Sequence, residues 1–78
     1  MHADTKEIRR LIAEKPPLQA ILFVRSFGLT PEEENCILLK DIHGNSLLQI
    51  SERFHCSPET VARRRESGYR KIYKSLHT

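Results

Sequence analysis

The sequence has few of the residues that build a disulfide framework, a metal site or a membrane span. Its 78 residues include two cysteines, three glycines and no tryptophan. Cys36 and Cys56 do not form a CxxC pair, which excludes a cysteine framework and the usual zinc-ligand spacings. The longest apolar run, Ala20 to Val24, is far shorter than the roughly 20 residues of a spanning helix. We expect a soluble cytoplasmic protein that binds no metal or cofactor and no membrane.

Catalysis is also not expected. The sequence has no glycine-rich phosphate-binding loop, and no nucleophile lies in a recognised motif beside a general base. A chain of 78 residues is also too small to enclose a substrate pocket readily. The sequence therefore predicts a binding protein and not an enzyme.

The charges that are present are segregated along the chain. Residues 57–78 contain six Lys/Arg and two Asp/Glu, a net charge of +4, whereas residues 29–56 contain two and five, a net charge of −3. A basic segment of this kind either neutralises phosphates of a nucleic acid or forms a solvated helix face. Charge alone leaves both interpretations open.

The first part of the chain predicts two helices. Asp4 and Glu7 are spaced as a capping box for a helix over about residues 5–15, which must end before the prolines that follow. Pro17 suits the first turn of a second helix, and Gly28 ends it. Because apolar residues cover more than half of its circumference, we expect this second helix to be largely buried.

Three further helix starts follow. Thr30 is placed to cap a helix that ends at Gly44, Ser46 opens a short helix, and Ser57 opens a last helix that continues to Leu76. No stretch shows the sustained two-residue alternation of a strand. The sequence predicts an all-α fold, a small bundle of about five helices that contains a helix-turn-helix.

The fourth and fifth helices have the spacing of that motif, in which the second helix enters the DNA major groove. Ile50, Phe54 and Val61 are expected to point inward between the two helices. Ser51 is small at the position where the backbones must approach each other. The helix that begins at Ser57 is therefore the candidate recognition helix.

The outward face of that helix predicts the DNA contacts. Arginine matches the O6/N7 edge of guanine, and glutamate can accept a hydrogen bond from cytosine N4. The predicted base contacts are Ser57, Glu59, Thr60, Arg63, Arg64 and Ser67. The predicted phosphate contacts are Ser46, Arg70, Lys71 and Lys74.

Two residues of the last helix are assigned to packing. Three successive arginines span about 300° of a helix, so one of them must lie near the core with its charge reaching outward, and we assign Arg65 to this position. Gly68 costs about 1 kcal/mol relative to alanine inside a helix. A close approach of the third helix would explain this glycine.

The segment from Leu29 to Leu76 resembles region four of bacterial sigma factors and the related small phage regulators of the ArpU type. The resemblance is carried by LTPEEENCILLKDIHGNSLLQISERFHCSPETVARRR. It implies that the helix beginning at Ser57 reads a −35 type element or an operator. His55 replaces the usual turn glycine, which is tolerable because histidine is enriched at positive φ. Arg65 replaces a leucine common in sigma factors, which favours the phage regulators.

The domain organisation and the function each keep two alternatives. Residues 29–78 form the region-four-like part, and residues 1–28 add a helical pair that either covers the core as a lid or forms a homodimer through residues 5–27. The first function is a sequence-specific DNA-binding transcriptional regulator of phage or mobile-element origin, with double-stranded DNA as its partner. The alternative is a module that docks on RNA polymerase without its own DNA specificity.

Overall fold

The fold is all-α, as the sequence predicts. The structure is a computed structural model that describes residues 3–77, and the side chains of residues 5–77. Within this range it contains five α-helices and no strand. The helices are α1 (Ala3–Ala13), α2 (Pro17–Arg25), α3 (Pro31–Ile37), α4 (Leu47–Phe54) and α5 (Pro58–Leu76), and a π-helical segment (Leu38–Ile42) continues α3. No described helix is long and apolar enough to cross a membrane.

Side-chain caps fix the starts of α3, α4 and α5 at the predicted residues. Thr30 Oγ1 accepts from the Glu33 N–H at 3.2 Å, and Glu33 Oε1 accepts from the Thr30 N–H at 3.0 Å. Ser46 and Gln49 form the same reciprocal pair at 3.1 and 2.8 Å. Ser57 Oγ accepts from the backbone N–H three residues later. These bonds satisfy N–H groups that have no partner within the helix.

The two N-terminal helices differ in part from the prediction. α1 begins at Ala3, so Asp4 lies inside the helix and not at its start, and the side chain of Asp4 is outside the described residues. α1 ends at Ala13 and α2 at Arg25, each a few residues before the predicted stop. Gly28 then adopts a positive φ of 65°, which suits the chain reversal toward α3.

One apolar cluster joins the N-terminal helices to the rest of the chain. Ile8 and Ile12 of α1 are 0% and 1% exposed and pack with Tyr69 and Ile72 of α5. The buried members of this cluster are Ile8, Ile12, Ala20, Val24, Leu29, Ile37, Leu38, Tyr69 and Ile72. The apolar stripe of α1, formed by Ile8 and Ile12, is therefore part of the core of a single chain.

The expectation that α2 is largely buried is wrong. Only Ala20 and Val24 of this helix are fully buried, whereas Leu18 and Leu22 are 69% and 59% exposed. A helix of nine residues at the edge of the bundle contacts its neighbours along one stripe, and two leucines one turn apart lie outside that stripe. α2 therefore presents an apolar outer face.

A second, smaller cluster holds α4 and α5 against α3. Its buried residues are Cys36, Ile50 and Val61, and Cys56 packs against its edge. The two cysteines are not joined by a disulfide. Ile50 and Val61 point inward as predicted. Phe54 does not, because it is the last residue of α4, where it is 37% exposed and lies outside the cluster.

Gly68 lies where α5 crosses α3, as predicted. A Cβ at this position would lie 2.6 Å from Ile37 Cδ1 and 3.5 Å from Glu33 Cβ. The first distance is too short for two carbon atoms that are not bonded to each other. The absence of a side chain at Gly68 therefore allows α3 and α5 to pack this closely.

Candidate nucleic-acid interface

A tight turn sets the direction in which α5 leaves α4. His55 has φ 56° and ψ 45°, and it is the only described residue other than glycine with a positive φ. The Cys56 N–H donates to the Ser51 carbonyl at 3.0 Å, and Ser51 is 3% exposed. The structure confirms that histidine occupies the left-handed turn position, and the buried Ser51 bonds to the residue that follows His55.

The outward face of α5 is centred on Arg63. Val61, Gly68, Tyr69 and Ile72 are the buried residues of this helix, and at about 100° per residue Arg63 lies on the opposite side. Its neighbours on that face include an exposed Glu59 and half-buried Thr60 and Arg64. Among the described residues, no carboxylate forms an ion pair with Arg63 or Arg64.

Four of the six predicted base contacts border an open groove of about 430 Å³. One wall is the α5 face, formed by Thr60, Arg63, Arg64 and Ser67. The other wall is the start of α3, formed by Thr30, Glu32 and Glu33. Ser57 and Glu59 lie at the start of α5 outside this groove, and the Ser57 hydroxyl is 2.9 Å from the Thr60 hydroxyl. The acidic second wall was not predicted from the sequence.

Glu33 joins α3 to two of the predicted DNA contacts. Its side chain is 8% exposed, and it accepts from Ser67 Oγ at 2.6 Å and from Lys71 Nζ at 2.9 Å. Burial alone would raise the pKa of Glu33, but the hydrogen bonds from Ser67, Lys71 and the Thr30 N–H outweigh it and lower the pKa to about 2. In the absence of DNA, Ser67 and Lys71 are therefore hydrogen-bonded to Glu33.

The remaining predicted phosphate contacts differ in exposure and in whether they are already paired with another residue. Arg70 pairs with Glu66 one turn earlier at 2.9 Å, and both side chains are more than one-third exposed. Lys74 is exposed near the end of α5. Together with Lys71 these residues line a second groove that continues along the same helix. Ser46 is exposed at the start of α4, where its hydroxyl is the cap.

Arg65 has the structural position that was predicted for it, with one difference. Its side chain is 13% exposed, and its guanidinium donates to Asp41 at 2.7 Å and to the Tyr69 hydroxyl at 2.6 Å. The Tyr69 hydroxyl also donates to Asp41. Burial, together with the negative charge of Asp41, raises the pKa of Tyr69. Contrary to the prediction, the charge of Arg65 does not reach outward to solvent, because Asp41 pairs with it within the fold. Asp41, in the π-helical segment, is a residue that sequence reasoning missed.

These elements define a small all-α protein whose last helix presents arginines beside an acidic wall. No protein-family model matches the sequence, and no curated protein or solved structure matches it. The likeness to region four of sigma factors is therefore a hypothesis that depends on the sequence from Leu29 to Leu76.

Proposed function

We propose that this protein is a sequence-specific transcriptional regulator that binds double-stranded DNA by placing α5 in the major groove. The observation that carries the proposal is the outward face of α5. There Arg63 and Arg64 lie together without a described carboxylate partner, on a helix that begins at a Ser57 cap directly after a left-handed turn. Arginines presented on a helix of this kind match the way such helices read guanine.

The remaining side chains of α5 take distinct roles in this proposal. Glu59 lies in the first turn and is suited to accept from a cytosine amino group, and Thr60 lies beside the arginines. Arg70 and Lys74 are exposed further along α5 and are suited to phosphates that flank the groove. Ser67 and Lys71 would first have to leave Glu33, so we assign them a smaller share of the binding free energy.

The proposal includes self-association and an origin in a phage or mobile element. Two copies of a short regulator can contact two half-sites, which doubles the number of phosphate contacts. Since Ile8 and Ile12 are core, the large exposed apolar residues that residues 5–27 offer to a second copy are Leu18 and Leu22 on the outer face of α2. The alternative is docking on RNA polymerase, and a measurement of DNA affinity distinguishes it from DNA binding.

The first experiment measures DNA affinity by fluorescence anisotropy. A duplex selected from a random pool and an unselected duplex of equal length are titrated over a range of salt concentrations. If each chain neutralises about four phosphates, log Kd should change with log salt with a slope of roughly 3 to 4 in magnitude. Absence of binding to any duplex at about 50 mM salt would contradict the proposal and favour docking on RNA polymerase.

A pair of variants then tests the assignment of roles on α5. Arg63→Ala should weaken binding to the selected duplex by about 1 to 3 kcal/mol and change binding to the unselected duplex little, because a base contact is lost. Lys74→Ala is the matched control and should weaken both about equally, because a phosphate contact does not depend on sequence. Equal losses for Arg63→Ala would show that Arg63 does not read bases.

A further inference from the structure

The three glutamates in the first turn of α3 differ in how their charges are compensated. Glu33 is bound by Lys71 and Ser67, and Glu34 lies 3.8 Å from Arg25. Glu32 is exposed, and no described cation pairs with it. It is also the glutamate that lines both the main groove and a smaller one that Arg64 shares. The uncompensated charge of this turn therefore lies on the wall that faces the arginines of α5.

A carboxylate in this position distinguishes between the two kinds of DNA group that an arginine can bind. A phosphate has a full negative charge, and a second negative charge across the groove repels it. The guanine edge is neutral overall and offers only the acceptors O6 and N7. The facing glutamate therefore penalises contacts between arginine and phosphate more than contacts between arginine and guanine.

From this we infer that Glu32 is a specificity-determining residue, which keeps DNA phosphates away from Arg63 and Arg64 and so weakens binding to non-cognate DNA. The inference rests on the proposed function, because it needs α5 to be the DNA-reading helix. Glu33 and Glu34 lie in the same first turn, so a favourable interaction with the helix dipole does not depend on Glu32 alone. In this inference, the α3 wall of the groove contributes to specificity through Glu32.

The test compares Glu32→Gln with Glu14→Gln in the full chain. Both substitutions remove one negative charge from an exposed side chain, and Glu14 does not line the groove. Kd is measured for the selected and the unselected duplex at one fixed salt concentration, and circular dichroism checks that helical content is unchanged. We expect Glu32→Gln to strengthen binding to the unselected duplex roughly threefold to tenfold and to change binding to the selected duplex by less. Glu14→Gln should change both by less than about twofold.

Five results would overturn the inference. Weaker binding of Glu32→Gln to the selected duplex would make Glu32 a base contact. An equal gain on both duplexes would make it a general brake on affinity, and an equal gain for Glu14→Gln would reduce the effect to net charge. If the unmodified chain binds no duplex, the proposed function fails together with the inference. If it binds DNA selectively and Glu32→Gln leaves the ratio of the two Kd values unchanged, the inference alone fails.

Discussion

At the scale of single residues, Glu33 shows how one side chain can support both a helix start and an interhelical contact. Its carboxylate completes the capping box at Thr30 and also accepts from Ser67 and Lys71 on α5. A buried carboxylate is unfavourable by itself, and it is retained here because three donors satisfy it. The fold near the candidate interface therefore depends on Glu33 being ionised.

That dependence predicts a specific loss of stability in acid. The pKa of Glu33 is lowered from 4.5 to about 2 in the folded chain, so the stabilisation is complete above pH 4.5 and is lost as the pH falls toward about 2. Glu33→Gln should be less stable than the unmodified protein by about 1 to 3 kcal/mol at neutral pH, and the gap should close in acid. Urea denaturation at a series of pH values measures this difference.

Glu52→Gln is the control for this measurement, because Glu52 is exposed on α4. It should leave the unfolding free energy within about 0.5 kcal/mol of the unmodified value at each pH. A gap between Glu33→Gln and the unmodified protein that stays constant down to pH 2 would contradict the ionised role of Glu33.

At the scale of elements, the contact between α3 and α5 decides the geometry of the groove. Gly68 allows the two helices to approach, and the π-helical segment that continues α3 contains Asp41, which pairs with Arg65. These contacts are on the inner side of α5, opposite Arg63. They therefore set which residues of α5 are left on the outward face.

A substitution at Gly68 tests this packing. Alanine would gain about 1 kcal/mol in helix propensity, but its Cβ would lie 2.6 Å from Ile37 Cδ1, so the fully buried Ile37 side chain would have to shift. We expect Gly68→Ala to destabilise the protein by about 1 to 3 kcal/mol, as overpacking does. Chemical denaturation measures the difference in unfolding free energy between Gly68→Ala and the unmodified protein.

Ile37→Val is the matched partner, because valine lacks the Cδ1 atom that clashes. Alone it should cost about 0.5 to 1.5 kcal/mol through lost packing. Combined with Gly68→Ala it should cost less than the sum of the two single changes, since the clash is removed. Additive losses would mean that the close approach of α3 is not the reason for Gly68.

At the scale of the whole molecule, the apolar residues of the N-terminal helices have two different surroundings. Ile12 is 1% exposed in the core, whereas Leu18 and Leu22 on α2 lie outside it. The dimer hypothesis therefore applies to α2 and not to the stripe of α1. Exposed leucines one turn apart are suited to a symmetric contact with the same helix of a second copy.

Charged residues on α2 test this hypothesis. The unmodified protein should sediment as a dimer at micromolar concentration, and the double variant Leu18→Lys with Leu22→Lys should sediment as a monomer. The helical content of the variant should be unchanged, because these side chains are not part of the core. Leu48→Lys is the control, since Leu48 is 59% exposed on α4 and should leave the association state unchanged. Ile12→Glu should unfold the chain. A monomeric unmodified protein would contradict the dimer and leave α1 and α2 as a lid on the core.

The sequence by itself determined the features that arise from short-range chemistry. The caps at Thr30, Ser46 and Ser57 depend on side chains that reach only three residues along the chain. The left-handed turn at His55 depends on local steric tolerance. The close approach of α3 at Gly68 could also be predicted, because glycine is unfavourable inside a helix unless close packing requires it. The all-α fold and the inward positions of Ile50 and Val61 follow from the same local rules.

Only the tertiary structure decided which polar side chains of distant elements meet. Glu33 lies 34 residues from Ser67 and 38 from Lys71, and periodicity along one helix carries no information about a partner that distant. The same holds for Asp41 and Arg65, which are 24 residues apart. Phe54 and the leucines of α2 have core-type patterns, but burial depends on whether another element covers them. The acidic wall opposite Arg63 exists for this reason, since it forms only where the start of α3 packs beside α5.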